Sequence, residues 1–381
     1  MEIKIDQVGG YMDSLFQKRD FVTLKNLAQQ VAQQRPEIAT AWRYLGIIAI
    51  LSDGDKKSLQ KAAALGDAEA ELWLNVVSEF EYHSKGTVHP SHILQQVGFT
   101  HLRHSVYMNF PIEVIFETQA VCNAACTFCV YTKMERKGDK MSNELIDKVI
   151  DDLKSIPKDL PFNISPFKVN DPFLDKRIFS ICEKINLELP NAKLRLFTNG
   201  SPLTEEIVNK IAQIKNVVHL WISLNECEKN AYQNTMKLPF DKTIEQLNAL
   251  HKRVENGYPH KIVISRVCDN SEHDLKFKEY LANNYPLFDC LLVGRSDWAG
   301  QIEIASSKSV PPTGCSRWFE INIMASGKVA LCCMDGEGKH VVGDVNKQSV
   351  LEIYNLHDYK KMRQYSFSRL AAAAPCDVCI L

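Results

Sequence analysis

Cys122-Asn123-Ala124-Ala125-Cys126-Thr127-Phe128-Cys129 is the stretch on which the reading of this chain turns. Its spacing, Cys-x3-Cys-x2-Cys, brings three thiolates together in one short loop. A structural zinc site normally takes four protein ligands. Three cysteines with no histidine nearby instead suit a [4Fe–4S] cluster with one iron open to a further ligand. The loop follows a strand reading that ends in Glu117 and Thr118. It precedes a helix reading that starts behind Ser142.

Outward from this loop the pattern alternates. Strands are expected at Val114–Thr118, Phe162–Phe167, Lys193–Asn199, Val217–Asn225, Lys261–Val267 and Cys290–Arg295. Helices are expected at Asn143–Ser155, Asp175–Asn186, Thr204–Ile214, Phe240–Glu255 and Glu272–Asn283. Six strands with five intervening helices imply an α/β fold with a parallel sheet wrapped by helices. Sites in such folds gather at the C-terminal ends of the strands.

The flanks differ. Residues 1–85 read as all-helical, with three-and-four apolar spacing in Phe21–Val31 and Ala41–Leu51. Trp42, Leu45 and Gly46 give W-x2-L-G, and a second tryptophan, Trp73, follows about one repeat length later. This is similar to a degenerate tetratricopeptide repeat, with a plain helical bundle as the alternative. Residues 86–112 read as a connector, 113–310 as the α/β domain and 311–381 as a small cysteine-bearing extension. In that extension, strand-turn-strand is expected over Glu320–Cys333 and a helix near Val350–Gln364.

Composition excludes several classes. With 45 basic and 46 acidic side chains, the chain offers no electrostatic footprint for nucleic acid or anionic membranes. Its longest apolar runs, such as Leu45–Leu51, fall far short of the ~20 residues that span a bilayer. MEIKIDQVGG lacks the apolar core of a secretory signal, so a cytoplasmic location is expected. In a reducing compartment, clustered cysteines point to metal or redox chemistry rather than disulfides. Cys182, Cys227, Cys268 and Cys290 stand alone among apolar residues and are expected to be small buried hydrophobes. His101 and His104, without a carboxylate partner in the local sequence, are expected at the surface.

With Phe128 just before the third cysteine, the loop resembles the radical S-adenosylmethionine (radical SAM) signature, Cys-x3-Cys-x-aromatic-Cys. The resemblance covers about residues 110–381. It implies a partial (β/α)6 barrel and a [4Fe–4S] cluster on Cys122, Cys126 and Cys129. It also implies reductive cleavage of S-adenosylmethionine to a 5′-deoxyadenosyl radical and removal of a hydrogen atom from substrate. An electron donor such as flavodoxin or ferredoxin is implied with it. The family's second strand ends in a Gly-Gly-Glu-Pro-like turn. Here Phe167-Lys168-Val169-Asn170-Asp171-Pro172 replaces it, without the glycines and with Asp171 at the Glu position. Asn170 and Asp171 would then offer acceptor oxygens to the methionyl amine, with an N-cap role the alternative for Asp171. Phe128, Asn199, Ser223 and Asn225 are further implied S-adenosylmethionine contacts, a turn-closing role being the alternative for the strand-end polar residues.

Cys315-x11-Gly327-x4-Cys332, followed by Cys376-x2-Cys379, resembles the SPASM and twitch extensions of that superfamily. The resemblance implies one auxiliary [4Fe–4S] cluster on Cys315, Cys332, Cys376 and Cys379. A structural zinc on the same four residues is the alternative. Strand alternation would send Cys332 and Cys333 to opposite faces, so one ligates, and family spacing favours Cys332 over Cys333. The implied activity is that of a modifying enzyme or oxidoreductase acting on a peptide or protein. Oxidation or epimerisation of a carbohydrate- or aminocyclitol-type small molecule is one alternative. A non-catalytic iron–sulfur or zinc scaffold with a helical partner-binding domain is the other.

Overall fold

The computed structural model describes residues 5–52, 54–83, 89–304, 309–365 and 367–380. The backbone separates into two compact units, Met1–His101 and Leu102–Leu381.

The first unit is helical among its described residues: α1 (Ile5–Gln17), α2 (Phe21–Gln34), α3 (Ala39–Ser52), α4 (Lys57–Ala64), α5 (Ala68–His83) and α6 (Pro90–Arg103). The expected boundary at residue 85 lies outside the described residues, and the expected connector carries α6. Ile93, Gln96 and Val97 form its buried face, and a polar residue on that face masked the period. Gly46 of the W-x2-L-G stretch is a close-approach residue. A Cβ there would stand 2.5 Å from both the backbone nitrogen and Cγ of Leu59 on α4. Trp42 Nε1 donates to the Pro36 carbonyl at 2.9 Å, and the Lys61 ammonium lies 3.6 Å from the Trp42 ring centroid. The Gly46–Leu59 approach and the Lys61–Trp42 contact join α3 to α4, and the Pro36 bond ties α3 to the turn before it.

The second unit alternates as expected: β1 (Glu113–Phe116), α7 (Asn143–Leu153), β2 (Phe162–Ser165), α8 (Ile178–Glu188), β3 (Ala192–Thr198), α9 (Glu205–Gln213), β4 (Val217–Ser223), α10 (Lys229–Met236), α11 (Phe240–Glu255), β5 (Ile262–Cys268), α12 (Glu272–Asn284) and β6 (Asp289–Gly294). The extension adds β7 (Glu320–Ile323), β8 (Lys328–Ala330), β9 (Val341–Asp344), α13 (Val350–Tyr354) and α14 (His357–Tyr365). One nine-stranded sheet runs in the order β6-β5-β4-β3-β2-β1-β7-β8-β9. The pairs from β1 to β6 are parallel, so the barrel is partial and open. β7 pairs in parallel with β1, Val114 opposite Ile321, and the extension therefore continues the barrel sheet. Gly327, at φ 86°, turns β7 into β8, where only glycine is unstrained.

Other expectations change. The helix near Val350–Gln364 is two helices, broken at Asn355-Leu356. The Asn355 amide donates to the carbonyls of Leu351 and Asn109, which takes it out of a continuous helix. Of the four isolated cysteines only Cys182 is buried; Cys227 and Cys268 are partly exposed, and Cys290 lies exposed on the edge strand β6. Among the described residues, no helix is long and apolar enough to cross a membrane.

Two long-range polar centres join the extension to the barrel. Glu117, fully buried after β1, pairs with Arg136 and accepts from Val169 N at 3.2 Å and Ala325 N at 3.4 Å. Lys168 Nζ, just after β2, donates to the carbonyls of Cys332, Cys333 and Asp335 at 3.2, 3.2 and 2.9 Å. Burial pushes its pKa down, and the three carbonyls match its three N–H donors. The residue just before the glycine-less turn thus carries a tie to the extension.

Two substitutions test this packing. Gly46→Ala should destabilise the α3–α4 hairpin by about 1–3 kcal/mol, seen as faster hydrogen exchange confined to residues 39–64. Lys168→Met should cost about 2–4 kcal/mol, because three buried carbonyls lose their donor. Its thermal transition should fall while α1–α6 exchange unchanged.

Candidate iron–sulfur and cofactor site

The loop from Gln119 to Lys140 crosses the C-terminal ends of the strands, and backbone bonds to distant elements hold it there. Ala120 N donates to Asp139 O at 2.7 Å, Thr127 N to Thr235 O at 3.0 Å and Ala125 N to Met236 O at 3.3 Å. The last two anchor the loop to α10, a helix that its polar sequence concealed. Cys129 N donates to Cys126 O at 3.1 Å and closes the turn between them. Burial pushes the Cys122 thiol up to about 12 and Cys129 up to about 11, with Cys126 raised as well. Asp171 and the Cys129 thiol add to the rise at Cys122. A thiolate in such a place needs positive charge beside it, which irons of a cluster provide.

Cys122, Cys126 and Cys129 line one cavity of about 340 Å³, and so do Phe128, Asn170, Asp171, Asn199, Ser223 and Asn225. All six residues expected to contact S-adenosylmethionine are therefore gathered at one place. Their hydrogen bonds revise what they do. Asn170 Oδ1 already accepts from Lys168 N at 2.9 Å, whereas its Nδ2 is buried without a partner. Asn170 is thus an unmatched donor, not the acceptor expected. Asp171 accepts from Phe173 N at 3.2 Å, Thr198 Oγ1 at 2.8 Å and Asn199 N at 2.9 Å. The capping alternative holds, and burial raises its pKa to about 6. Asn199 Nδ2 donates to Asn123 Oδ1 at 2.8 Å and lies 3.9 Å from Cys122 Sγ, so it braces the cysteine loop. Asn225, at φ 65°, accepts from Val267 N at 2.8 Å and ties β4 to β5.

Other side chains complete the lining. Below the cysteines, Arg195 pairs with Glu113, whose other oxygen accepts from Ser165 Oγ. Trp221 and the stacked pair Phe167–Phe197, centroids 4.8 Å apart, make the floor apolar around this pair. Trp298, on a turn with positive φ, donates Nε1 to Phe128 O at 2.8 Å and covers one side. These partners are far apart in sequence, so spacing could not show them. Arg266 lies beneath the rim, paired with Glu226, Asp269 and Asp274, and holds the β5 end rather than lining the cavity.

The extension reaches the same cavity through Arg317, Cys333 and Met334. β8 ends at Ala330, so Cys332 and Cys333 sit in a turn and the expected strand alternation does not apply. Arg317 Nη1 lies 2.8 Å from Cys333 Sγ, and Met334 N lies 3.4 Å from Cys332 Sγ. Away from the cavity, Trp318 Nε1 lies 3.4 Å from Cys376 Sγ, and Cys379 N donates to Cys376 O at 3.2 Å. Among the described residues, no three Cys, His, Asp or Glu side chains are close enough to hold a single metal ion.

Residues 116–279 match the profile of the Radical SAM superfamily, and residues 315–380 match SPASM, an iron–sulfur cluster-binding domain. A radical SAM domain implies a [4Fe–4S] cluster with S-adenosylmethionine, and a SPASM domain implies auxiliary iron–sulfur ligation. No curated protein matches the chain. Among solved structures, Streptococcus suis SuiB bound to precursor peptide SuiA is similar with TM-score 0.55 at 12% identity, over 84% of this chain and 83% of that one. Native anSMEcpe with bound AdoMet and Cp18Cys peptide gives 0.51 at 14%, over 68% and 83%. BtrN in complex with AdoMet and 2-DOIA gives 0.45 at 16%, over 67% and 86%. At such identities the likeness is one of fold.

Because Cys333 turns to the cavity beside Arg317, Cys332→Ala should lose auxiliary iron and Cys333→Ala should keep it. Iron and sulfide counts on the two variants decide, and the reverse result moves the ligand to Cys333.

Proposed function

We propose, for a chain whose residues 116–279 are a Radical SAM superfamily domain and 315–380 a SPASM iron–sulfur domain, that it modifies or oxidises a peptide or protein substrate. The observation that carries the proposal is the shared cavity. Cys122, Cys126 and Cys129 border it on one side, and Arg317 and Cys333 of the extension border it on another. When bound, the cluster and S-adenosylmethionine supply the one-electron chemistry that removes a hydrogen atom from substrate.

The chain's own residues hold and shield that chemistry. Cys122, Cys126 and Cys129 would ligate one cluster, and Cys315, Cys332, Cys376 and Cys379 the auxiliary one. Asn199 keeps Asn123 and Cys122 in place. The unpartnered Asn170 Nδ2 fits a carboxylate oxygen of the methionyl group, since a buried donor without an acceptor is costly. Phe128 and Ser223 line the wall where an adenine and a ribose would lie. The aromatic floor excludes water from the reacting atoms. An auxiliary cluster suits oxidation, because it can accept the second electron.

Peptide chemistry is favoured over a small molecule by two supports. SuiB and anSMEcpe, the two similar structures described above with TM-scores over 0.5, are bound to peptides. The chain also carries a separate helical unit of about a hundred residues, more than a small substrate needs.

Anaerobic reconstitution should load about eight iron and eight sulfide per chain, from two [4Fe–4S] clusters. S-adenosylmethionine and dithionite should then yield 5′-deoxyadenosine. Replacing Cys122, Cys126 and Cys129 together by Ala should halve the iron and abolish 5′-deoxyadenosine. Zinc in place of iron, with no cleavage, would overturn the reading in favour of a scaffold.

A further inference from the structure

The helical unit holds a cavity of its own, about 450 Å³, between α1, α3, α5 and α6. That is within the range of ligand pockets, about 300–1,000 Å³. Phe16, Ile47, Trp73, Leu94 and Val97 give it apolar walls. Leu94 remains 39% exposed at the rim, an apolar group that folding left uncovered. On α6 the wall opens at Gly98, which presents bare backbone to the cavity: a Cβ there would meet nothing within 4 Å.

The polar groups around these walls carry an excess of negative charge. Among the described lining residues Arg43 is the one Lys or Arg, and two carboxylates already hold it: Asp67 at 3.1 Å and Asp13 at 3.4 Å. Asp13 also accepts from the Tyr44 hydroxyl. Glu69 accepts from Trp73 Nε1 at 2.9 Å and lies 3.1 Å from His101 Nε2. Thus His101, at the surface as expected, has a carboxylate partner on a distant helix. Three carboxylates face one guanidinium and one histidine. Asp13 and Glu69 keep free lone pairs on the solvent side, with side chains 52% and 32% exposed. Among the described lining residues an anionic guest would meet carboxylates and an arginine that is already paired. A guest with an apolar side chain next to a positive charge would fill the walls and satisfy the rim.

We propose that this cavity binds a segment of peptide chain in which a large apolar residue adjoins a lysine or arginine, the apolar side chain between Trp73 and Val97 and the cation on Asp13 and Glu69. The site lies outside the barrel and takes no part in bond-breaking; it would hold part of a substrate that is not modified. The inference rests on the peptide reading above for the origin of the segment, and its test separates the two.

The probes are three fluorescein-labelled 12-residue Gly/Ser peptides with central Leu-Lys, Leu-Glu or Ser-Lys, titrated by anisotropy into the full reconstituted chain. The Leu-Lys peptide should bind at one site, at least about 10-fold more tightly than Leu-Glu or Ser-Lys. Raising the salt should weaken it, since exposed charges are screened. Gly98→Phe fills the cavity from a position with open space and removes a helix-interior glycine, so its melting temperature should hold while Leu-Lys binding falls at least about 10-fold. Equal binding of Leu-Glu, undiminished binding to Gly98→Phe, or no binding of any probe would overturn the proposal. The wild-type preparation is assayed for 5′-deoxyadenosine in parallel. Cleavage without peptide binding removes this site and leaves the enzyme. Leu-Lys binding without cleavage removes the enzyme reading and leaves the site.

Discussion

One buried ammonium sets the geometry on which this protein's chemistry depends. Lys168 follows β2, is almost wholly enclosed, and gives its three N–H donors to the carbonyls of Cys332, Cys333 and Asp335. A buried cation without acceptors would be far too costly, so the turn carrying those cysteines must sit over the strand ends. Glu117 works beside it: its carboxylate gathers Arg136 of the cysteine loop, Val169 after β2 and Ala325 after β7. Arg136 in turn donates to Gly336 O at 2.7 Å. Three segments distant in sequence are thereby held by hydrogen bonds in a dry interior, where such bonds are strong and their loss is expensive.

The cavity that results has walls of different character. One holds the three thiols of the loop, kept neutral by burial until positive charge arrives. Another holds Arg317 against Cys333. Beneath lies the Arg195–Glu113 pair within an aromatic floor. A thiol side, an Arg317–Cys333 side and a charged base thus enclose one small volume. The continuation of the sheet from β1 into β7 makes the extension a wall of the barrel rather than an appendage.

Much of the architecture was legible because parallel sheets are buried on both faces and write themselves as short apolar runs between helical periods. All six barrel strands and five of their helices lie where those runs predict, within a few residues. α10 escaped because KNAYQNTM has little apolar period, although Tyr232 and Met236 are buried and its end anchors the cysteine loop. α6 escaped for a related reason, a glutamine on its buried face. β9 escaped because its pairing with β8, not its own pattern, makes it a strand.

By itself the sequence determined the order of strands and helices, the two cysteine sets and the neighbourhood in which a cofactor could lie, since spacing and period are properties of the covalent chain. Only the tertiary structure decided what each polar side chain does there. Asn170 became a donor because its oxygen was claimed by the Lys168 amide. Asp171 became a cap because three donors converge on it. Cys332 and Cys333 became turn residues because β8 ends before them. In each case the partner is either many residues away or chosen by backbone conformation, and a hydrogen bond's partner is selected by packing, which local spacing does not encode.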